Sequence, residues 1–227
     1  LFQYEAIAFF PGLVMRWFRD AFCQEEKRIE AEGGPDAYEQ MAAAASRVPA
    51  GSHGMMCAFS DVMNYISWKH ASPTFTNFAL DAARFDKYTF FRALMENAAL
   101  VTRGHLDLVE QVTGRRPAEI VFAGGASKSP LWSQIMADVL DLPVRTPEVK
   151  EATALGAAIC AGIGAGVYGG IDDAVSRTVR MEAVFEPDRR NRGVYDELRD
   201  RWRKMYAAQL KLADEGVASH MWRAPGV

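Results

Sequence analysis

The apolar residues of this chain recur every three or four positions in several stretches, which predicts helices that each bury one face. The first predicted helix begins at Pro11. Further helices are predicted for residues 37–45, 86–112, the segment after Pro130, the segment EATALGAAICAG and residues 189–212. The predicted core face of the first helix is formed by Val14, Trp17, Phe18, Ala21 and Phe22. In the helix after Pro130, which Ser129 can cap, the predicted core face is formed by Trp132, Ile135, Met136, Val139 and Leu140.

Short apolar runs bounded by turn residues predict strands at residues 3–9, 55–59, 74–80, 120–123, 142–145 and 179–185. Strands and helices alternate along the chain, so we expect the α/β class. The length of 227 residues allows one large domain or two small ones.

The charge balance argues against a nucleic-acid partner. The chain carries 26 basic and 29 acidic residues, a formal net charge of -3, whereas nucleic-acid binding requires clustered Lys and Arg. The densest basic cluster, formed by Arg189, Arg190 and Arg192, is interpreted as the solvated start of a helix. We therefore expect no nucleic-acid partner.

The cysteines and the start of the chain predict a cytoplasmic location. Cys23, Cys57 and Cys160 are odd in number and far apart, so neither a disulfide framework nor a zinc site is expected. The chain opens with no charged leader and apolar core, which argues against secretion. It begins at Leu1 rather than Met, so we expect a fragment of a longer protein.

Residues 152–171 are uncharged over a length that could cross a bilayer. Six of these residues are glycine and large apolar residues are sparse. We interpret the segment as a buried helix that ends in a glycine-rich turn, and we expect no membrane partner.

The most informative feature is a predicted strand that runs through Phe122 into Gly124 and Gly125, a small-residue turn and a helix. Glycine lacks Cβ, so a flat or charged ligand can approach its main-chain amides closely. The later EATALG helix carries a small-residue face formed by Ala154, Gly156, Ala157 and Ala161. We expect this face to press on the glycine turn and form a slot for a planar base, although a merely well-packed helix pair also needs small residues.

Other motifs are weaker. Lys128 and Ser129 follow Ser127 rather than glycine, so there is no P-loop, and the glycines at 164, 166 and 169 follow a helix instead of a strand. No GxSxG elbow occurs, and the four histidines stand alone without metal-ligand spacing. Asp61 is the best candidate carboxylate for substrate contact, or else a turn residue.

The two glycine-rich segments, FAGGASKSPLWSQIMADVLDLPV and EATALGAAICAGIGAG, together closely resemble the C-terminal half of the FGGY family of carbohydrate kinases. The resemblance implies an actin-like ATPase (ribonuclease H-like) lobe over residues 1–227, with a mixed sheet flanked by helices. It also implies that ATP and Mg²⁺ are the cofactors. The residues expected to line or support the adenosine site are Gly124, Gly125, Ala126, Ser127, Ser129, Ala154 and Gly156.

The segments FFPGLVMRWFRDAFCQEEK, SRVPAGS and MWRAPGV are most similar to a subgroup that phosphorylates a quorum-sensing signal, the linear molecule 4,5-dihydroxy-2,3-pentanedione. The family signature is imperfect: Ala79 stands where glycine is usual, and Thr89 where an acid, amide or histidine is usual.

The resemblance also places the catalytic Asp and the phosphate-binding loops in an N-terminal lobe that would precede Leu1. We therefore expect no catalytic residue and no metal ligand in this chain, and negligible activity from it alone. Two alternatives remain: a lobe of a kinase for another sugar or polyol, such as xylulose or glycerol, and a non-catalytic nucleotide-binding module. The oligomeric state is not predicted.

Overall fold

The computed structural model describes residues 11–59 and 69–223. In these ranges the elements are α1 (Pro11–Phe22), α2 (Gln24–Ala31), α3 (Ala37–Ala45), β1 (Met56–Ala58), β2 (Lys69–His70), β3 (Thr74–Thr76), α4 (Lys87–Thr113), β4 (Ile120–Val121), α5 (Pro130–Leu140), β5 (Val144–Pro147), α6 (Ala152–Gly164), α7 (Ile171–Thr178), β6 (Met181–Phe185), α8 (Arg192–Asp214) and β7 (Trp222–Arg223). Short 3₁₀ turns lie at Ser52–Gly54, Gly125–Lys128 and Arg189–Asn191.

The α/β class and the predicted helices are confirmed, whereas most of the predicted strands are longer than the observed ones. The strand predicted for residues 142–145 is instead shifted by two residues, to Val144–Pro147. The strand predicted for residues 74–80 ends at Thr76. The next residue, Asn77, has a left-handed φ of 61°, and its side-chain amide donates to the Gly54 carbonyl at 2.6 Å. The strand predicted for residues 3–9 lies outside the described residues, as does Asp61.

The strands form a mixed sheet and two ribbons. β4 pairs with β5 in parallel, and β5 pairs with β6 antiparallel. β1 pairs with β3 and β2 pairs with β7, both antiparallel. The parallel pair and the helices around it agree with the expected mixed sheet flanked by helices.

The core lies between α1, α3, α4, α5, α8 and the strands they cover. α4 and α5 pack closely together, and the predicted core face of α5 is buried throughout. From the C-terminal part of the chain, α8 adds Tyr195, Leu198, Trp202 and Tyr206 to the same hydrophobic cluster. The core therefore joins elements from α1 to α8.

The predicted core face of α1 is partly wrong. Val14 and Phe18 are buried, and Met15 joins them, but Trp17 and Phe22 are 45% and 52% exposed. Trp17 instead contacts Phe22 and Phe59 at the rim of the core. The buried face of a 12-residue helix is narrower than the full run of its apolar residues.

No helix in the described ranges is long and apolar enough to cross a membrane. Residues 152–171 form α6, a glycine-containing turn and the first residue of α7, but α6 is largely exposed, so the expectation of a buried helix is wrong. The three cysteines are unpaired: Cys23 and Cys57 are buried and Cys160 is exposed.

Candidate nucleotide-binding site

The glycine turn lies at the carboxyl end of the parallel strand pair. After β4, the Phe122 amide still donates to the Arg145 carbonyl of β5 at 2.8 Å, and the chain then turns at Gly124 with a φ of 87°. With a ψ of −177°, this positive-φ conformation is essentially confined to glycine, because a residue with a Cβ would be strained against its own main chain. The carboxyl end of parallel strands is where open α/β sheets place ligands.

The turn presents main-chain donors to its open side. The amides of Ser127 and Ser129 donate to the carbonyls of Gly124 and Ala126, both at 3.1 Å. In the described part of the chain, the amides of Gly125 and Ala126 donate to no protein acceptor. Gly125 is exposed and Ala126 half-buried, so these two amides can bind oxygen or nitrogen acceptors of a ligand.

The two predicted serines stabilise this turn internally. Ser127 is buried, and its hydroxyl donates to the Gly124 carbonyl at 2.7 Å. The Ser129 hydroxyl accepts the Trp132 amide at 3.3 Å and thereby caps α5, with Pro130 in its first turn. Each serine therefore makes a contact within the turn, and the main-chain amides of the turn that have no protein acceptor in the described ranges are those of Gly125 and Ala126.

An aromatic pair fixes the strand before the turn to the helix after it. Phe122 packs edge-on against Trp132, with ring centroids 6.1 Å apart. Trp132 is buried and Phe122 half-buried. The turn between them is therefore anchored on both sides.

The structure brings the two glycine-rich motifs together through the loop that precedes α6. The Gly124 amide donates to the Lys150 carbonyl at 3.0 Å, and the Ala152 amide donates to the same carbonyl at 2.9 Å. α6 therefore begins directly beside the glycine turn.

The small-residue face of α6, however, does not press on the turn. Ala154, Gly156, Ala157 and Ala161 are exposed. A Cβ built on Gly124, Gly125 or Gly156 would meet no neighbouring atom within 4 Å. The expectation of tight packing is wrong at these positions, and the space over the glycines is open.

The physical reason is that α6 packs mainly against α7. Gly162 lies so close to the Tyr168 ring that a Cβ there would come within 2.5 Å of it, and Tyr168 lies under the Arg177 guanidinium. Of the residues of α6, only Ile159 is buried. The glycines at 164, 166 and 169 lie at this α6–α7 junction, after a helix as the sequence indicates.

Two basic residues lie close to the turn in the chain or through its hydrogen bonds. Lys128, at the end of the 3₁₀ turn, is exposed. Lys150 is half-buried and its ammonium donates to the Pro147 carbonyl at 2.7 Å and to the Glu182 carboxylate. Among the described residues, no group of three His, Cys, Asp or Glu side chains could hold a metal ion.

The sequence reasoning identified the turn but missed Lys150 and Glu182. Lys150 stands one residue before the EATALG motif and Glu182 lies in β6. Their proximity depends on strand pairing across the sheet, so no local pattern could have revealed it.

Comparison with known families decides the assignment. Residues 2–165 match the model of the FGGY family of carbohydrate kinases, C-terminal domain. The chain belongs to the FGGY family. Members whose sequences resemble it include autoinducer-2 kinase of Klebsiella pneumoniae subsp. pneumoniae, 51% identical over 225 residues, and autoinducer-2 kinase of Yersinia enterocolitica, 48% identical. Each alignment covers 99% of this chain but only 42% of the relative.

Solved structures of sugar and polyol kinases have the same fold. Xylulose kinase from Rhodospirillum rubrum superposes with a TM-score of 0.66 at 32% sequence identity, over 87% of this chain and 38% of that one. Glycerol kinase from Plasmodium falciparum, solved with ADP, superposes with a TM-score of 0.65 at 19% identity, over 88% and 37% of the two chains. The chain thus spans about two fifths of the FGGY proteins it matches.

Proposed function

We propose that this chain is the nucleotide-side lobe of an ATP-dependent FGGY carbohydrate kinase, a phosphotransferase with an alcohol group as acceptor. The observation that carries the proposal is the open glycine turn. Its Gly125 and Ala126 amides have no protein acceptor in the described ranges, and the second family motif begins beside it. These features suit the adenosine part of a nucleotide, which offers acceptor atoms and a flat ring.

The residues of the turn fit ATP in two further respects. The left-handed Gly124 and the exposed Gly125 leave space that a side chain would fill. Helix α5 follows the turn, and the positive end of its dipole favours a nearby anion. Gly124, Gly125 and Ala126 would contact the nucleotide, Ser127 and Ser129 would hold the turn, and Ala154 and Gly156 would border the open space. When bound, ATP supplies the transferred phosphoryl group.

Mg²⁺ is proposed on the chemistry of phosphoryl transfer, which requires the charge on the moving group to be neutralised. Since the described residues include no carboxylate cluster for a metal, we propose that Mg²⁺ is held by the phosphates and by the part of the enzyme beyond this chain. The catalytic base is proposed to lie there too.

We propose that residues 1–227 form one domain, because the hydrophobic core joins α1 to α8 and extends past the family match at residue 165. The free thiols agree with a cytoplasmic location. Phosphoryl transfer depends on positioning both reactants, so the isolated chain is expected to bind nucleotide but to have negligible kinase activity.

The proposed acceptor is 4,5-dihydroxy-2,3-pentanedione, the linear form of the quorum-sensing signal. The support is the name autoinducer-2 kinase carried by relatives about half identical over nearly the whole chain. A kinase for another sugar or polyol is the second candidate, favoured by the structural likeness to a xylulose kinase at 32% identity.

Nucleotide binding is tested by titrating ATP into the isolated chain and into Gly125→Val. Gly125 has no left-handed φ, and its Cβ would project into open space, so the variant is expected to fold and to bind ATP at least about tenfold more weakly. Gly193→Val is the matched control, because Gly193 is also exposed and equally unobstructed but lies in α8. Equal ATP affinity in all three proteins would disprove the site.

The acceptor is tested by measuring ATP-dependent ADP release after joining this chain to its own natural upstream sequence. The signal precursor, xylulose and glycerol are compared, with the isolated chain as a control. A strong preference for the precursor supports the first candidate. A preference for xylulose or glycerol supports the second candidate. Rapid turnover by the isolated chain contradicts the proposal that the catalytic base lies outside this chain.

A further inference from the structure

A single side chain connects the nucleotide turn to the outer strand of the sheet. Lys150 lies in the loop between β5 and α6, and its carbonyl accepts the Gly124 amide at 3.0 Å. Its ammonium, at the other end of the residue, donates to the Pro147 carbonyl at 2.7 Å and forms an ion pair with Glu182 of β6. The same residue therefore contacts both the turn and the sheet.

The loop has few other attachments. The Glu148 amide donates to the Arg180 carbonyl at 2.9 Å, just before β6 begins, while Glu148 and Val149 are exposed. Glu151, the residue that precedes α6, makes no side-chain cap hydrogen bond. The Lys150 carbonyl also accepts the Ala152 amide at 2.9 Å, a contact within the loop and the start of α6. Among the described residues, the Lys150 side chain is the contact that ties the segment between Glu148 and α6 to β6.

We propose that Lys150 is a positioning residue for the nucleotide turn, and that its ion pair with Glu182 holds the Lys150 carbonyl where it orients Gly124. This inference rests on the proposed ATP site and adds a residue to which the family motifs assign no role. Its effect is indirect, because the Lys150 ammonium is occupied by Pro147 and Glu182. A flexible loop would let the Gly124 amide separate from its acceptor and would widen the range of positions that the Gly125 and Ala126 donors occupy.

The two partners differ in burial, which separates a positioning role from a stabilising one. The Lys150 side chain is 15% exposed, whereas Glu182 is 56% exposed. If the ammonium is removed, Glu182 becomes solvated instead of remaining as a buried unpaired charge. The effect on global stability should therefore be small, as for other surface pairs, while the loop loses its restraint.

The test compares Lys150→Met with the wild-type chain. Methionine keeps most of the length of the side chain but removes both contacts of the ammonium. We expect the dissociation constant for ATP to rise about five- to tenfold, as for loss of a charge-assisted hydrogen bond near the site, with the melting temperature nearly unchanged. Lys211→Met, at the 75% exposed Lys211 of α8, is the matched control and should change neither quantity.

A second measurement does not depend on ATP. Hydrogen exchange of the Gly124 amide, followed by NMR, should accelerate in Lys150→Met and remain slow in Lys211→Met, because only the first variant loosens the acceptor of that amide. Lys150→Arg keeps the positive charge and should restore much of the protection. Reversing the pair, in Lys150→Glu combined with Glu182→Lys, should restore more ATP affinity than Lys150→Glu alone.

The outcomes separate the inference from the proposed function. If the wild-type chain binds no ATP, the proposed function fails, and accelerated Gly124 exchange in Lys150→Met would then still support the contact but not its purpose. If the wild type binds ATP and Lys150→Met binds it equally well, or if the variant only lowers the melting temperature, the positioning role is overturned.

Discussion

At the scale of single residues, one buried carboxylate joins three parts of the fold. Glu96 of α4 accepts hydrogen bonds from the Gly51 amide at 2.9 Å, the Ser52 hydroxyl at 2.8 Å, the Arg92 Nε at 2.9 Å and the Tyr195 hydroxyl at 3.0 Å. Burial by itself lowers the pKa of Arg92, but Glu96 and Tyr195 outweigh it, so the pKa is raised and the guanidinium stays charged. The buried charges of Arg92 and Glu96 are compensated only while both side chains are present.

Glu96→Ala is therefore expected to destabilise the chain by about 3–5 kcal/mol, because it leaves the Arg92 charge buried without its carboxylate. Urea unfolding followed by circular dichroism measures the loss. The control is Glu197→Ala, which removes a 73% exposed carboxylate paired with Arg201 and should cost at most about 1 kcal/mol. Similar losses in the two variants would contradict the role of Glu96.

The same carboxylate explains a backbone feature that the sequence did not indicate. Residues 51–54 all have left-handed φ values: 78° at Gly51, 48° at Ser52, 57° at His53 and 84° at Gly54. Each non-glycine residue in this region costs roughly 1–2 kcal/mol, so external contacts must hold the run. No local sequence pattern could indicate this run, because the contact with Glu96 joins positions 45 residues apart in the chain.

At the scale of elements, the sequence predicts best those features that depend on residues close together in the chain. α5 was predicted correctly because its signals are local: Ser129 before it, Pro130 in its first turn, and an apolar face at helical spacing. The packing partner of α6 was predicted wrongly, because small residues permit close approach of another element without specifying which element it is. The glycine turn could be located from its composition, whereas its attachment to Lys150 depends on how β4, β5 and β6 align.

The local nature of the α5 signals gives an element-scale prediction. Ser129→Ala removes the acceptor of the Trp132 amide and should destabilise the chain by about 1 kcal/mol. Ser129→Asn supplies another good capping side chain and should stay within a few tenths of a kcal/mol of the wild type. Thermal unfolding of the three proteins measures the difference, and a loss as large in Asn as in Ala would show that the hydroxyl acts other than as a cap.

At the scale of the whole molecule, the three thiols differ in their exposure to solvent. Cys23 and Cys57 are buried in the core cluster, whereas Cys160 lies on the exposed helix α6. Burial, aided by the nearby Glu26, raises the pKa of Cys23 to about 11, and burial raises that of Cys57 well above its ordinary value. A thiol reagent at pH 8 should therefore label Cys160 quickly and the other two only after denaturant unfolds the chain.

The raised pKa values also predict how stability depends on alkaline pH. The folded chain holds the Cys23 proton more tightly than the unfolded chain, where the ordinary value is 9.0. The contribution of this thiol is therefore fully present below pH 9 and is lost as the pH rises toward about 11. The urea midpoint should fall over this window, and Cys23→Ala should fall less steeply, although from a lower starting stability because the variant leaves a small cavity. Parallel curves for the two proteins would mean that Cys23 is not buried in the folded core.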